Sequence, residues 1–162
     1  MAGTLYLCGT PIGNLEDISF RVIELLKTVD LIAAEDTRHT LHLLNHFQIN
    51  TTMTSYHEHN KQSKGLQLIE KLKKDINIAL VTDAGMPGIS DPGADLVKLC
   101  YENDIPVTVV PGASACMIAL VLSGLDTRRF VFEGFLPSDK RERRTVLQSL
   151  SKEHRTIILY EA

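Results

Sequence analysis

The sequence predicts an α/β protein, built as a mostly parallel sheet flanked by helices. Three observations lead there. Short β-branched or apolar runs alternate with segments of helical periodicity along most of the chain. One run, residues 76–81, is apolar almost throughout, as expected of a central parallel strand buried on both faces. Stretches dense in Gly and Pro follow predicted strands, at the edge where open α/β sheets take their ligands.

The elements follow in order. Residues 4–8 read as a first strand, with Gly9-Thr10-Pro11-Ile12-Gly13-Asn14 directly after it. Val22, Leu25, Leu26 and Val29 recur at helical spacing behind Asp17 or Ser19 as the cap. Residues 30–34 form a second strand, ending in Glu35-Asp36-Thr37-Arg38, and a short helix covers 40–47. Residues 53–56 are extended. The stretch 61–74 is an amphipathic helix, with Leu66, Ile69 and Leu72 on one face and lysines opposite. After the apolar strand come a Gly/Pro loop, a helix over 94–102 and a strand over 107–110. Residues 112–122 are apolar nearly all round and read as a buried helix. A strand over 130–136, a charged helix over 139–150 and a strand over 156–160 close the chain. The change of character near 124–129 sets the expected domains at 1–124 and 125–162. Two strands and one helix are too little to stand alone, so the second domain is expected to be incomplete.

A chain of 162 residues with 44% hydrophobic and 23% charged residues buries a core without disulfide help. Its net charge of -3 provides no global basic field, so any nucleic-acid contact must come from a local patch. Cys8, Cys100 and Cys116 are widely spaced and show no zinc-binding pattern; no metal is expected, and free buried thiols are. The N-terminus lacks the basic region of a signal peptide, and no apolar run approaches membrane length, which predicts a cytoplasmic protein without membrane contact.

Three loops carry the candidate chemistry: residues 9–14, 83–93 and 111–115. Glycine lets backbone approach a ligand closely, and proline limits the order lost on binding. The first could equally be a plain turn, and the third could simply open a helix. Neither G-x-G-x-x-G nor the G-x-x-x-x-G-K-[ST] phosphate loop is present. The middle loop packs three glycines, two prolines and two aspartates into eleven residues, more than a connector needs.

Six ordered blocks carry a family resemblance. They are Gly9-Thr10-Pro11-Ile12-Gly13-Asn14-Leu15, Glu35-Asp36-Thr37-Arg38, Tyr56-His57-Glu58-His59-Asn60, the loop 83–93, Pro111-Gly112-Ala113-Ser114-Ala115 and Phe132-Glu133-Gly134-Phe135-Leu136-Pro137. Together they resemble the ribosomal RNA small-subunit methyltransferase I family, a branch of the tetrapyrrole methylases. The resemblance implies the class III methyltransferase fold of two α/β domains, the second truncated here, in a homodimer. It implies S-adenosyl-L-methionine as cofactor and 2′-O-methylation of a cytidine ribose in the decoding region of small-subunit (16S) rRNA. It places cofactor contacts at Pro11, Gly85, Met86, Ile89, Ser114 and Ala115. Met86 departs from the small hydroxyl residue that the family pattern implies.

A ribose hydroxyl is a poor acid, so a general base helps its methylation. Asp36, His57 and Glu58, at or near strand ends, are the candidates, with Asp36 first because Glu35 and Arg38 flank it. A helix cap or a structural ion pair would place the same residue types there. Arg128, Arg129, Lys140, Arg141, Arg143 and Arg144 form the one dense basic cluster, suited to RNA phosphates or to a solvated helix face. Two other readings stay open: a small-molecule, tetrapyrrole-type methylase of the same superfamily, and a non-enzymatic ligand-binding module.

Overall fold

The computed structural model describes residues 2–161, and the chain divides into two compact units, 1–114 and 115–162. The first unit runs β1 (Leu5–Cys8), a 3-10 turn (Leu15–Asp17), α1 (Phe20–Thr28), β2 (Leu31–Ala34), α2 (Thr37–His46) and β3 (Met53–Ser55). It continues with α3 (Lys61–Leu72), β4 (Ile78–Val81), α4 (Gly93–Glu102) and β5 (Val107–Val110). The five strands form one all-parallel sheet in the order β3-β2-β4-β1-β5.

Strand alternation sends side chains to two cores. Leu5, Leu7, Leu31, Ala33, Ile78 and Leu80 face Leu68, Ile69 and Leu72 of α3 and Leu96 and Cys100 of α4. Cys8, Ile32, Ala34, Ala79 and Val81 face Val22 and Leu26 of α1 and Leu44 of α2. β4 sits centrally and is buried along its whole length, in keeping with its unbroken apolar run. Each large aliphatic side chain buried this completely contributes about 1.5–3 kcal/mol.

The helix starts have local causes. The Ser19 hydroxyl accepts the Val22 amide and caps α1. The Asp36 carboxylate accepts the Arg38 amide and caps α2, which therefore begins at Thr37 and not at residue 40. Cys8, Cys100 and Cys116 are buried thiols. Burial pushes the Cys8 thiol up to about 12, against a smaller opposing effect of Arg21. No helix among the described residues is long and apolar enough to cross a membrane.

The second unit holds α5 (Ala115–Leu122), β6 (Phe130–Phe135), α6 (Lys140–Leu150) and β7 (Thr156–Tyr160). β6 and β7 pair in parallel, with a register shift between Phe132 and Gly134. Cys116, Leu120 and Ile158 form its small core, with Phe132 and Tyr160 packed on it. This core draws α5 into the second compact unit. Two residues of α5 pack with β7, and the division between the compact units falls at 114/115, ten residues before the expected domain boundary. The expectation of a buried helix is corrected: Ile118, Val121 and Leu122 of α5 are exposed. Asp139 caps α6 by accepting the Arg141 and Glu142 amides, and none of the helix's residues is buried.

Candidate functional site

The order of the strands creates a crevice. β1 and β2 lead into α1 and α2 on one face of the sheet, whereas β4 leads into α4 on the other. β4 lies between β2 and β1, so the chain above its end departs opposite to both neighbours. Such reversals open the ligand crevices of α/β sheets. A cavity of about 310 Å³ lies at this point. Its floor is Thr82, Asp83 and Ala84; residues 10–15 form one wall, and His39, Thr40, His42 and Leu43 of α2 form the other.

On the β5 side of the cavity, the three Gly/Pro loops meet. The first loop is stitched to the middle one by paired amide bonds, Thr10 N–H to Gly85 O at 2.9 Å and Gly85 N–H to Thr10 O at 3.1 Å. The buried Thr10 hydroxyl adds a bond to Thr82 O at 3.1 Å. Gly9 and Gly112 bring the first and third loops into backbone contact. A Cβ at Gly9 would lie 2.6 Å from the Gly112 Cα and 2.8 Å from the Met86 sulfur. Gly85 has φ 84°, and a Cβ there would lie 3.3 Å from both Ala113 O and the Ile12 side chain.

Asp91 holds the middle loop in shape. Its carboxylate accepts the amides of Gly88 (2.8 Å), Ile89 (3.2 Å) and Gly93 (2.7 Å). The buried Tyr56 hydroxyl donates to Pro92 O at 3.0 Å and ties the end of β3 to the same loop. The three loops contain no Lys, Arg or His, so the rim is built of backbone groups, apolar side chains, small uncharged polar side chains and aspartates.

Of the expected cofactor residues, Pro11 lines the cavity. Gly85 and Met86 sit where the loops converge, Met86 against Gly9. Ile89 is exposed on the middle loop, Ser114 ends the first unit and Ala115 opens the second.

Of the three base candidates, Asp36 and His57 line one hollow and Glu58 stands outside it. Asp36 is held by Arg38, whose Nε and Nη2 donate to Oδ1 at 3.2 Å and Oδ2 at 2.8 Å, while Oδ1 also accepts the Arg38 amide. These bonds lower its carboxyl well below the usual range. Glu58 is exposed and pairs with Lys61 at 2.8 Å. His57 lines a smaller hollow with Glu35, Asp36 and His59; its Nδ1 is buried and has no hydrogen-bond partner among the described residues. Sequence reasoning passed over Asp83 and Glu35 as base candidates. The Glu35 Oε2 accepts the Thr82 hydroxyl at 2.5 Å and the Asp83 amide at 3.4 Å. The Asp83 Oδ1 accepts the Asp36 amide at 3.1 Å. Burial, then Glu35 and Asp36, push the Asp83 carboxyl upward, against the Asp36 amide and His39. The signal available in the sequence was position: Asp83 follows the most apolar strand by two residues.

The basic cluster lies in the second unit and is divided in its commitments. Arg128 pairs with Asp126 at 3.0 Å, and Arg143 donates to Pro137 O at 2.9 Å. Arg129, Lys140, Arg141 and Arg144 are exposed and in no ion pair among the described residues. No group of three His, Cys, Asp or Glu side chains among the described residues is placed to hold a metal ion.

A parallel sheet with a reversal crevice and three converging glycine loops defines an α/β protein of the ligand-binding class. Its fold is that of known methylases. Similar solved structures include a diphthine synthase (TM-score 0.73, 17% identity, 98% of this chain and 64% of that one). Another is the uroporphyrin-III-C-methyltransferase of Thermus thermophilus (TM-score 0.62, 18% identity, 84% and 60%). Residues 4–162 match the family Tetrapyrrole (Corrin/Porphyrin) Methylases, and the chain belongs to it. Within curated proteins it is 60% identical to the Ribosomal RNA small subunit methyltransferase I of Synechocystis sp., over 99% of this chain and 57% of that protein. It is 53% identical to the protein of that name from Bacillus subtilis, over 99% of this chain and 55% of the relative. The chain thus spans little more than half the length of these relatives.

Proposed function

We propose that the chain belongs to a cytoplasmic, homodimeric S-adenosyl-L-methionine-dependent methyltransferase. Its substrate is the 2′-hydroxyl of a cytidine in the decoding region of 16S rRNA. The observation that carries this reading is the meeting of three cation-free loops at the reversal crevice, in a chain 60% identical to a ribosomal RNA small subunit methyltransferase I.

The rim suits this cofactor chemically. S-adenosylmethionine has a sulfonium, an adenine, a ribose and an amino acid but no phosphate, so it needs close backbone groups and apolar lining and no cationic clamp. Pro11, Gly85, Met86, Ile89 and Ser114 would hold it, with Ala115 next in the chain. When bound it supplies an activated methyl: the carbon–oxygen bond forms as the carbon–sulfur bond breaks, and sulfur keeps the electron pair. The protein's part is alignment. The Thr10–Gly85 stitch and the Asp91 turn hold the loops before the ligand arrives, which limits the order lost on binding. Arg129, Lys140, Arg141 and Arg144 would set register on RNA phosphates.

Full-length protein, small ribosomal subunits lacking the modification and methyl-labelled cofactor test the reading, with a porphyrinoid acceptor in parallel. Label at one cytidine 2′-oxygen is expected. Label in the porphyrinoid, or none in either acceptor, contradicts it. Removing the four free charges is expected to flatten the salt dependence of subunit binding.

A further inference from the structure

We propose that Asp83 takes the proton of the acceptor hydroxyl, and that the cavity it floors receives the acceptor nucleoside. The inference rests on the methyltransferase reading above and assigns a residue and a compartment to it.

The geometry separates two sides of one ridge. Gly85 and Met86 face the first and third loops, toward β5. The cavity lies on the other side of the Thr10–Gly85 stitch, toward α2. At about 310 Å³ it is a small-ligand pocket, with Ile12, Leu15 and Leu43 to pack a flat base and polar groups at the floor. Methyl transfer needs the acceptor oxygen in direct contact with the methyl carbon, so donor and acceptor meet over the open edge of the first loop, where Pro11, one of the cofactor residues, also lines the cavity.

Three carboxylates lie near the floor; Glu35 and Asp36 line the neighbouring hollow, and Asp83 lines the cavity. Both oxygens of Asp36 are held by Arg38. Oε2 of Glu35 holds Thr82 and the Asp83 amide and so braces the floor. Asp83 lines the cavity itself; its Oδ1 is fixed by the Asp36 amide, and its Oδ2 makes no hydrogen bond among the described residues. The charged and titratable groups around it are Glu35, Asp36 and His39, with His42 on the cavity wall. Burial and the two acidic neighbours favour the protonated carboxyl, the state in which a base ends its step. The proton passes from the 2′-hydroxyl to Asp83 Oδ2 as the hydroxyl oxygen gains its methyl group, and water then removes it.

The test uses full-length protein, Asp83→Asn and Asp83→Ser, with single-turnover methylation of small subunits, S-adenosylhomocysteine calorimetry and carboxyl 13C NMR. If wild type does not methylate the subunits, the methyltransferase reading itself fails. Given wild-type activity, both variants are expected to bind S-adenosylhomocysteine within threefold of wild type. They are expected to lose about 100-fold or more in rate, together with the unit slope of the acidic pH–rate limb. In the wild type, NMR is expected to show the Asp83 carboxyl titrating above its ordinary 3.8, a readout independent of the variants' folding. A variant rate within threefold of wild type, a preserved slope, lost cofactor affinity in folded variants, or an Asp83 titration at or below the ordinary value would each overturn the proposal.

Discussion

Asp91 shows how much one side chain settles. Its carboxylate takes three backbone amides of a loop in which Gly85, Gly88 and Ser90 all have positive φ. Asp91→Ala leaves those amides without their acceptor, at about 1–3 kcal/mol for the part-buried Gly88 and Gly93 amides, while water can replace it at the exposed Ile89 amide. Urea unfolding is expected to show that loss, and S-adenosylhomocysteine affinity is expected to fall with it. An unchanged midpoint would mean that the turn does not depend on Asp91. The abundance of Gly, Pro and Asp between 83 and 93 was plain in the sequence, but the division of labour was not. Which aspartate folds the loop and which faces the cavity depends on contacts with Glu35 and Asp36, distant in the chain.

Among the elements, α2 is the one whose start matters to the site, because its first turns wall the cavity. Asp36 caps it and pairs with Arg38, and the folded state holds this carboxyl below its usual range. A carboxyl lowered on folding stabilises the protein above the ordinary titration near pH ~4 and loses that contribution as pH falls toward the folded value. Asn is also a good N-cap, so Asp36→Asn separates charge from capping. Urea midpoints between pH 2 and 7 are expected to drop less steeply in acid for Asp36→Asn than for wild type; parallel curves would show that Asp36 contributes nothing to acid sensitivity. The strands were readable because each apolar run is short and followed by turn chemistry. The start of α2 was not, because Thr37, Arg38 and His39 carry no apolar period and only the Asp36 cap marks them as helical. α5 was misjudged for a related reason: a helix apolar all round says that it can be buried, and not which neighbours bury it.

For the whole molecule, topology does most of the work. The direction of travel reverses after β3, which places α1 and α2 on one face and α3 and α4 on the other and leaves the crevice above β4. Motif order in the sequence identified the three loops, yet only strand order brings residues from β1, β4 and β5 to one edge. The α2 wall of the cavity had no sequence signature, since His39, Thr40, His42 and Leu43 belong to none of the motif blocks. Hydrogen exchange of the full-length protein with and without S-adenosylhomocysteine shows whether the three loops form one ligand rim. Protection is expected to rise together in residues 9–14, 83–93 and 111–115. Added protection that leaves all three loops unchanged, or no change anywhere, would contradict it.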